Sequence, residues 1–293
     1  MNTPMRFSVI GGDIRQANLA GLIANDGHTV SLFGVESRLA DSSVQTAESL
    51  KHALSDADCV VLPIPVTHEA GVINAPTLLR PHTLEELVSL SRPEQMLVGG
   101  RVPAELFRLG RAAGLHVLDF LKRADFAIRN AVPTAEGALQ IAMENTQITL
   151  HGARCLVIGY GHIGHVLAGH LAALGAKVTV SARKQSDFAQ IETAGFSCLE
   201  TGRLNGHLAG FDIVFNTVPD IVLAANRLRE LPRSCLCIDL ASTPGGIDFD
   251  EAHRLGIHCI WALGLPGKVA PRTAGVILRD TLYHIMKERG TAL

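Results

Sequence analysis

Three glycines, Gly159, Gly161 and Gly164, are spaced as GYGHIG between an aliphatic run, RCLVI, and an apolar, helix-compatible stretch, HIGHVLAGHLAALG. A strand that turns abruptly into a helix needs a glycine for the tight turn. It needs a second where a ligand meets the backbone, and a third where helix packs on strand. The helix beginning there directs free amide N–H groups and a partial positive charge at whatever lies over the loop, which suits a pyrophosphate. The loop, with Tyr160, His162 and Ile163 between the glycines, is therefore read as dinucleotide-binding. A purely structural glycine-rich turn is the alternative. Of His162, His165 and His170, only His162 lies close enough to the loop to touch a cofactor.

About twenty residues beyond such a loop, a site for NAD normally offers Asp or Glu to the ribose hydroxyls. This chain has Ser181, Ala182, Arg183 and Lys184 at that point, and Asp187 slightly further on. A carboxylate would repel a 2′-phosphate, whereas a guanidinium binds it through charge-assisted hydrogen bonds, so the residues favour NADP. The competing reading is a solvated basic turn.

Ligands of open α/β sheets bind beyond the carboxyl ends of the strands, so the polar residues after each strand are the candidates for contact. These are Asp13, Arg15 and Gln16, the loop 63–68 ending in His68, and Gly99, Gly100 and Arg101. Further along come Asn216, Thr217, Val218 and Pro219 (NTVP), then Ala241 and Ser242 in ASTPGG, then Leu265, Pro266, Gly267, Lys268 and Arg272 in GLPGKVAPR.

To be positioned, these loops need two series of alternating strands and helices. The first reads as strands within 5–10, 28–34, 58–62, 95–98 and 115–120, with helices to 25, over 84–90 and over 104–113. The second begins at RCLVI and continues through KVTVSA, FDIVF, CLCIDL and HCIWA. The expectation is an α/β chain of two Rossmann-like doubly wound parallel-sheet domains, separated by a cleft and joined by a connecting helix. Residues 1–132 would form a substrate and catalytic domain, completed by a C-terminal helix within 270–293. Residues 133–150 would connect, with Thr134 as helix N-cap and Glu136 in the first turn, and 151–269 would bind NADP.

The 293 residues are enough for two cores, and 47% apolar against 18% charged residues supplies buried parallel strands. A net charge of -2 provides no basic excess for nucleic acid or an anionic membrane. No transmembrane or signal-peptide pattern is visible, so a cytoplasmic protein is expected. Six scattered cysteines, including Cys235 and Cys237 two apart on one strand, show no zinc spacing, and neither a metal nor a disulfide is assigned.

In order along the chain, GGDIRQ, NAVPTAEG, LVIGYGHIG, NTVP, DLASTPGGIDF and GLPGKVAPRTAG resemble the A subunits of dipicolinate synthases, from Gly11 to about Gly275. The resemblance implies a two-domain, NADP-linked enzyme that oxidises dihydrodipicolinate, a small dicarboxylate, to dipicolinate (pyridine-2,6-dicarboxylate) in endospore formation. It also implies a partner, the smaller, flavoprotein-like B subunit, and the cytoplasm of the mother cell as location; a homo-oligomer is expected. By matching motif, Gly159, Gly161 and Gly164 hold the pyrophosphate, Arg183 takes a basic position, and 216–219 and 265–268 flank the nicotinamide. The GLPGKVAP stretch is also similar to the PGGVGP loop of methylenetetrahydrofolate dehydrogenases. His162 stands where the family pattern has Arg, and Lys122 and Arg123 where it has acidic residues.

Oxidation requires the substrate ring to lie against the nicotinamide, with two carboxylates held by Arg or Lys, hydroxyls and helix amides. The candidates are Arg15, Thr134, Lys268 and Arg272, with Asp13 and Glu136 as orienting or basic groups and His68 as an alternative proton acceptor. Arg15 can equally be a strand-end arginine paired with Asp13. The residues alone leave open another two-domain NADP-dependent dehydrogenase, of amino-acid, hydroxyacid or folate type, and a non-catalytic NADP-binding scaffold.

Overall fold

The computed structural model describes residues 4–35, 43–69 and 71–290. It divides into one unit of residues 1–129 with 270–293 and a second of residues 130–269. Positions 1–3, 36–42, 70 and 291–293 of the expected first domain lie outside the described residues.

In the first unit, β1 (Arg6–Ile10), β2 (Thr29–Phe33), β3 (Gln45–Thr46), β4 (Cys59–Val61), β5 (Met96–Gly99) and β6 (His116–Asp119) form one sheet. Its spatial order is β3-β2-β1-β4-β5-β6, with every pair parallel. The central strands β4 and β5 are buried throughout because helices cover both sheet faces, which is why they read as unbroken aliphatic runs. Helices α1 (Ile14–Asn25), α2 (Leu50–Ser55), α3 (Leu84–Leu90) and α4 (Ala104–Ala112) connect them. The last helix, α11 (Pro271–Glu288), returns to this unit and crosses α1 closely at Gly275, where a β-carbon would stand 2.9 Å from Asn18 Cβ. Phe7, Val9, Leu19 and Ile23 share a core with Ile277, Leu282 and Ile285 of that helix.

The second unit repeats the plan. Strands β7 (Arg154–Ile158), β8 (Lys177–Ala182), β9 (Ser197–Glu200), β10 (Ile213–Asn216), β11 (Leu236–Asp239) and β12 (His258–Trp261) run parallel in the order β12-β11-β10-β7-β8-β9. Both sheets thus have the 3-2-1-4-5-6 order of a dinucleotide-binding fold, with the direction of winding reversing beside β1 and beside β7. Helices α6 (His162–Ala173), α7 (Gln185–Thr193), α8 (Ala225–Leu228), α9 (Phe249–Leu255) and the single turn α10 (Leu265–Val269) complete the unit.

Helix α5 spans Ala124–Asn145, so the connecting helix expected over 133–150 begins earlier, and the expectation for Thr134 is corrected. Thr134 caps nothing: it lies inside the helix, 7% exposed, and its hydroxyl donates to the Asn130 carbonyl at 2.7 Å. Pro133, which suits a first helical position, instead sits in the interior. Burial of Ala131, Ala135 and Ala138 along one side carries the helix through it. Glu136 is consequently an exposed mid-helix residue rather than a first-turn one.

The cysteines are free thiols. Cys235 and Cys237 are fully buried, as small hydrophobes are, and burial pushes the Cys155 thiol up to about 12. Among the described residues no helix is long and apolar enough to cross a membrane.

Candidate functional site

The glycine loop leaves β7 at Ile158 and enters α6 at His162. Gly159 takes φ +94°, and a side chain there would meet Thr217 Oγ1 at 2.5 Å and Val218 Cγ2 at 2.8 Å, so its absence lets the loop touch the end of β10. Gly164 packs so closely on the loop that a β-carbon would collide with the Gly159 carbonyl oxygen. Gly161 differs from both. Its φ of -78° is open to any residue and nothing stands within 4 Å of a β-carbon, so no protein contact requires glycine there. A missing side chain with nothing beside it fits close approach by a ligand.

As N-cap of α6, Gly161 supplies no side-chain hydrogen bond, and the first-turn amides of this twelve-residue helix are left for an anion. The matching turn of the first unit is closed. There Asp13 caps α1, accepting from Arg15 N at 3.0 Å, while Gln16 Oε1 accepts from Asp13 N at 3.0 Å in a capping box. The chain's own carboxylate occupies the place a phosphate would take. The second unit is thus the one whose β–α turn can hold a pyrophosphate.

A cavity of about 360 Å³ opens over this loop, bounded by Gly159, Tyr160 and Gly161, by Ala182, Arg183 and Lys184 after β8, and by Thr217, Val218 and Pro219 after β10. Arg183 and Lys184 are exposed, and Asp187 on the same wall accepts from Ser186 Oγ. A larger depression of about 500 Å³ lies at the amino ends of the strands, beside Arg154, Lys177 and Ser197. Ligands of such sheets bind at the carboxyl ends of the strands, so the cavity over the glycine loop is the one the topology favours.

The remaining cofactor candidates divide by depth. Tyr160 and Ile163 are half-buried against the core, burial raises the Tyr160 hydroxyl, and His162 is exposed at the first helical position. Ser181 is fully buried and receives a hydrogen bond from Thr201 Oγ1 at 3.2 Å, so its carbonyl, which accepts from Gly159 N at 2.9 Å, is what serves the loop. Thr217 Oγ1 donates to Ile158 O at 2.9 Å, tying the two strand ends together. Asn216 is also fully buried and reaches the site only through the backbone of Val218. Ala241 is buried and Ser242 exposed. Leu265, Pro266 and Gly267 are buried, and α10 lies on α5 at Gly137, where a side chain would meet Leu265 Cβ at 3.0 Å and Val269 Cγ2 at 3.2 Å. Lys268, exposed on that turn, is thereby brought to the helix that carries Thr134 and Glu136.

Asp239 is not among the sequence candidates, although it is the buried centre of this region. It accepts from Asn216 Nδ2, Ala241 N and Gly246 N. In CLCIDL it reads as the polar end of an apolar run, and only the pairing of β10 with β11, which sets Asn216 beside Asp239, reveals its partner.

In the first unit, Asp13 and Arg15 form a forked ion pair, with Arg15 Nε at 2.9 Å from Oδ1 and Nη2 at 2.8 Å from Oδ2. Nη2 also donates to the Ile64 carbonyl at 2.9 Å, in the loop that follows β4. Burial alone would raise the Asp13 carboxyl, but the hydrogen bonds and charge of Arg15 hold it below its ordinary value. Arg272 and His68 are exposed. Arg123 is committed to Asp125 at 2.9 Å and Glu288 at 2.7 Å, a link between the start of α5 and the end of α11.

Residues 6–121 match the family of N-terminal domains of the dipicolinate synthase A subunit, and residues 147–249 match a family of putative NAD(P)-binding domains. The chain is 32% identical over 296 residues to the dipicolinate synthase A subunit of Bacillus subtilis (strain 168), covering 98% of both. The structure of the dipicolinate synthase A subunit from Bacillus halodurans superposes with a TM-score of 0.89 at 34% identity, covering 98% of this chain and 99% of that one. A transhydrogenase from Sinorhizobium meliloti, at 16% identity and a TM-score of 0.71 over 96% and 94% of the two chains, shares the fold. Its two parallel sheets, the open glycine loop of the second and these matches along nearly the whole length place the chain in the family of dipicolinate synthase A subunits, as an oxidoreductase with an NAD(P)-binding domain.

Proposed function

We propose that the protein catalyses NADP-dependent oxidation of dihydrodipicolinate to dipicolinate. The observation that carries the cofactor choice is the pairing of an uncapped α6 N-terminus at Gly161 with Arg183 and Lys184 directly after β8, where an NAD site carries a carboxylate and where Asp187, one turn further along the same wall, stands behind the two cations. In this reading the α6 amides bind the pyrophosphate and Arg183 the 2′-phosphate. When bound, NADP⁺ supplies a hydride acceptor. The dihydropyridine ring gives up one hydride and one proton and becomes aromatic, so the products are dipicolinate, NADPH and a proton.

The chain's own part is to hold a planar dicarboxylate at the nicotinamide and to take up the proton. Arg15, Thr134, Lys268 and Arg272 are proposed for the carboxylates, and Asp13 or Glu136 for orientation or proton acceptance. The Asp13–Arg15 pair supports this by fixing a guanidinium at the carboxyl end of β1. Family membership supports work with a B subunit, and the reading further places the protein in the mother-cell cytoplasm of a sporulating bacterium, as a homo-oligomer.

The test is to generate dihydrodipicolinate in situ with the chain, NADP and the B subunit, following NADPH and dipicolinate together. Both should appear in equal amounts. NADP binding without dipicolinate would instead identify a scaffold, and turnover only with an amino acid, hydroxyacid or folate would identify a different dehydrogenase.

A further inference from the structure

Asp239 is a fully buried carboxylate at the carboxyl end of β11, and among the described residues no cation pairs with it. Burying an unpaired charge is costly, and here the donors that face it offset that cost. What the carboxylate offers is acceptor capacity in two directions with no donor. Oδ1 accepts from Asn216 Nδ2 at 2.8 Å and from Ala241 N at 3.0 Å, while Oδ2 accepts from Gly246 N at 2.7 Å. Asn216 Nδ2 also donates to Val218 O at 2.9 Å, and Asn216 Oδ1 accepts from Val218 N at 3.2 Å. Two side chains therefore join the loop after β10 to the loop after β11. The join is tight: a β-carbon at Gly246 would collide with Asn216 Nδ2 and stand 2.5 Å from Val218 O.

Both loops follow the carboxyl ends of their strands, the side on which such sheets bind ligands, and Val218 of the first borders the cavity over the glycine loop. We infer that Asp239, acting through Asn216, is a positioning residue that holds loops 216–219 and 241–246 in their cofactor-binding arrangement. The inference rests on the proposed function only for the choice of NADP as the nucleotide.

Asp239→Asn tests it. A carboxamide oxygen can face only one set of donors, so its NH2 group must oppose either the Gly246 amide or the Asn216 and Ala241 donors. The loop 241–246 then shifts. The single tryptophan reports this directly, because Trp261 Nε1 donates to Ala241 O at 2.9 Å and the ring stacks on Phe249. At a temperature where the variant is fully folded, the Kd for NADP should rise by about tenfold or more and Trp261 emission should move to the red. Leu171→Ala, roughly 13 Å along α6 from its N-terminus, creates a core cavity that lowers Tm and should change neither. If Asp239→Asn does not fold, Asn216→Ser, which breaks the link between the two loops while leaving the Asp239 bonds to Ala241 N and Gly246 N, should still raise the Kd for NADP by a similar factor. Unchanged NADP affinity and unchanged emission in the folded variant would overturn the inference, as would equal effects from Leu171→Ala. A wild-type chain that does not bind NADP would refute the choice of nucleotide, while the Trp261 comparison would still decide the role of Asp239.

Discussion

Replacing Gly161 by alanine should cost affinity alone, and replacing Gly164 should cost stability too. At Gly161 the backbone angles suit alanine and the added methyl meets no protein atom within 4 Å. Alanine is a poorer N-cap than glycine, a loss of up to about 1 kcal/mol. The narrower unfolded ensemble returns about 0.4–1 kcal/mol. Stability should therefore change by less than about 1 kcal/mol. The methyl nevertheless occupies the space a pyrophosphate needs, and pushing the phosphates off two amides forfeits about 1.5–3 kcal/mol for each charge-assisted hydrogen bond. That is about 3 kcal/mol at least, on the order of a hundredfold in Kd. At Gly164 the methyl meets the Gly159 carbonyl oxygen, and the overpacking should cost about 1–3 kcal/mol of stability as well as affinity. Calorimetric titration with NADP and NAD, beside thermal melts of the same samples, separates the cases. Wild-type affinity in Gly161→Ala, or a fall in its Tm equal to that of Gly164→Ala, would refute the reasoning.

Three further outcomes are expected. Arg183→Ala should weaken NADP by about tenfold or more while leaving NAD nearly unchanged, because a guanidinium matters only where there is a 2′-phosphate; equal losses in titrations with both nucleotides would contradict the assignment. Asp125, held down to about 2 chiefly by its hydrogen bond to Arg123, should contribute stability that is complete above the ordinary carboxylate value of 3.8 and lost as pH falls towards 2. Urea unfolding of Asp125→Asn should accordingly lose less stability over that acid window than the wild type does, and parallel curves would count against the ion pair. Glu94, a non-glycine residue at φ +65°, should gain about 0.5–1 kcal/mol when replaced by glycine, since relief of left-handed strain exceeds the added unfolded-state entropy. A lower urea midpoint for Glu94→Gly would show that its neighbours favour the side chain more than the backbone resists it.

Elements with enough residues to show a period are legible in the sequence. The run KVTVSA is β8 over its full length, and the helix read at 84–90 is α3. Short ones are not: β3 has two residues, too few for any alternation, and α2 has six. Helix α9 carries a readable signal that the periodicity reading misses, with Asp248 as N-cap, Glu251 three residues later and Gly256 in the left-handed terminating position. Thr134 misleads because a Pro-Thr pair resembles a helix start, and nothing local reveals that α5 began at Ala124.

Within the site, the chain alone determines the glycine loop, the basic pair that follows β8 and the Asp13–Arg15 pair, since each is made by residues close in sequence. Even the closed N-terminus of α1 is written locally, as Asp13 and Gln16 at capping-box spacing. Tertiary structure alone decides what depends on strands meeting. It makes Gly161 open and Gly164 crowded, turns Ser181 and Asn216 inward, and gives Asp239 donors 23 residues before and 7 residues after it. The physical reason is that a hydrogen bond across parallel strands is set by register, which pairs Asn216 with Asp239 only after β10 and β11 have packed side by side.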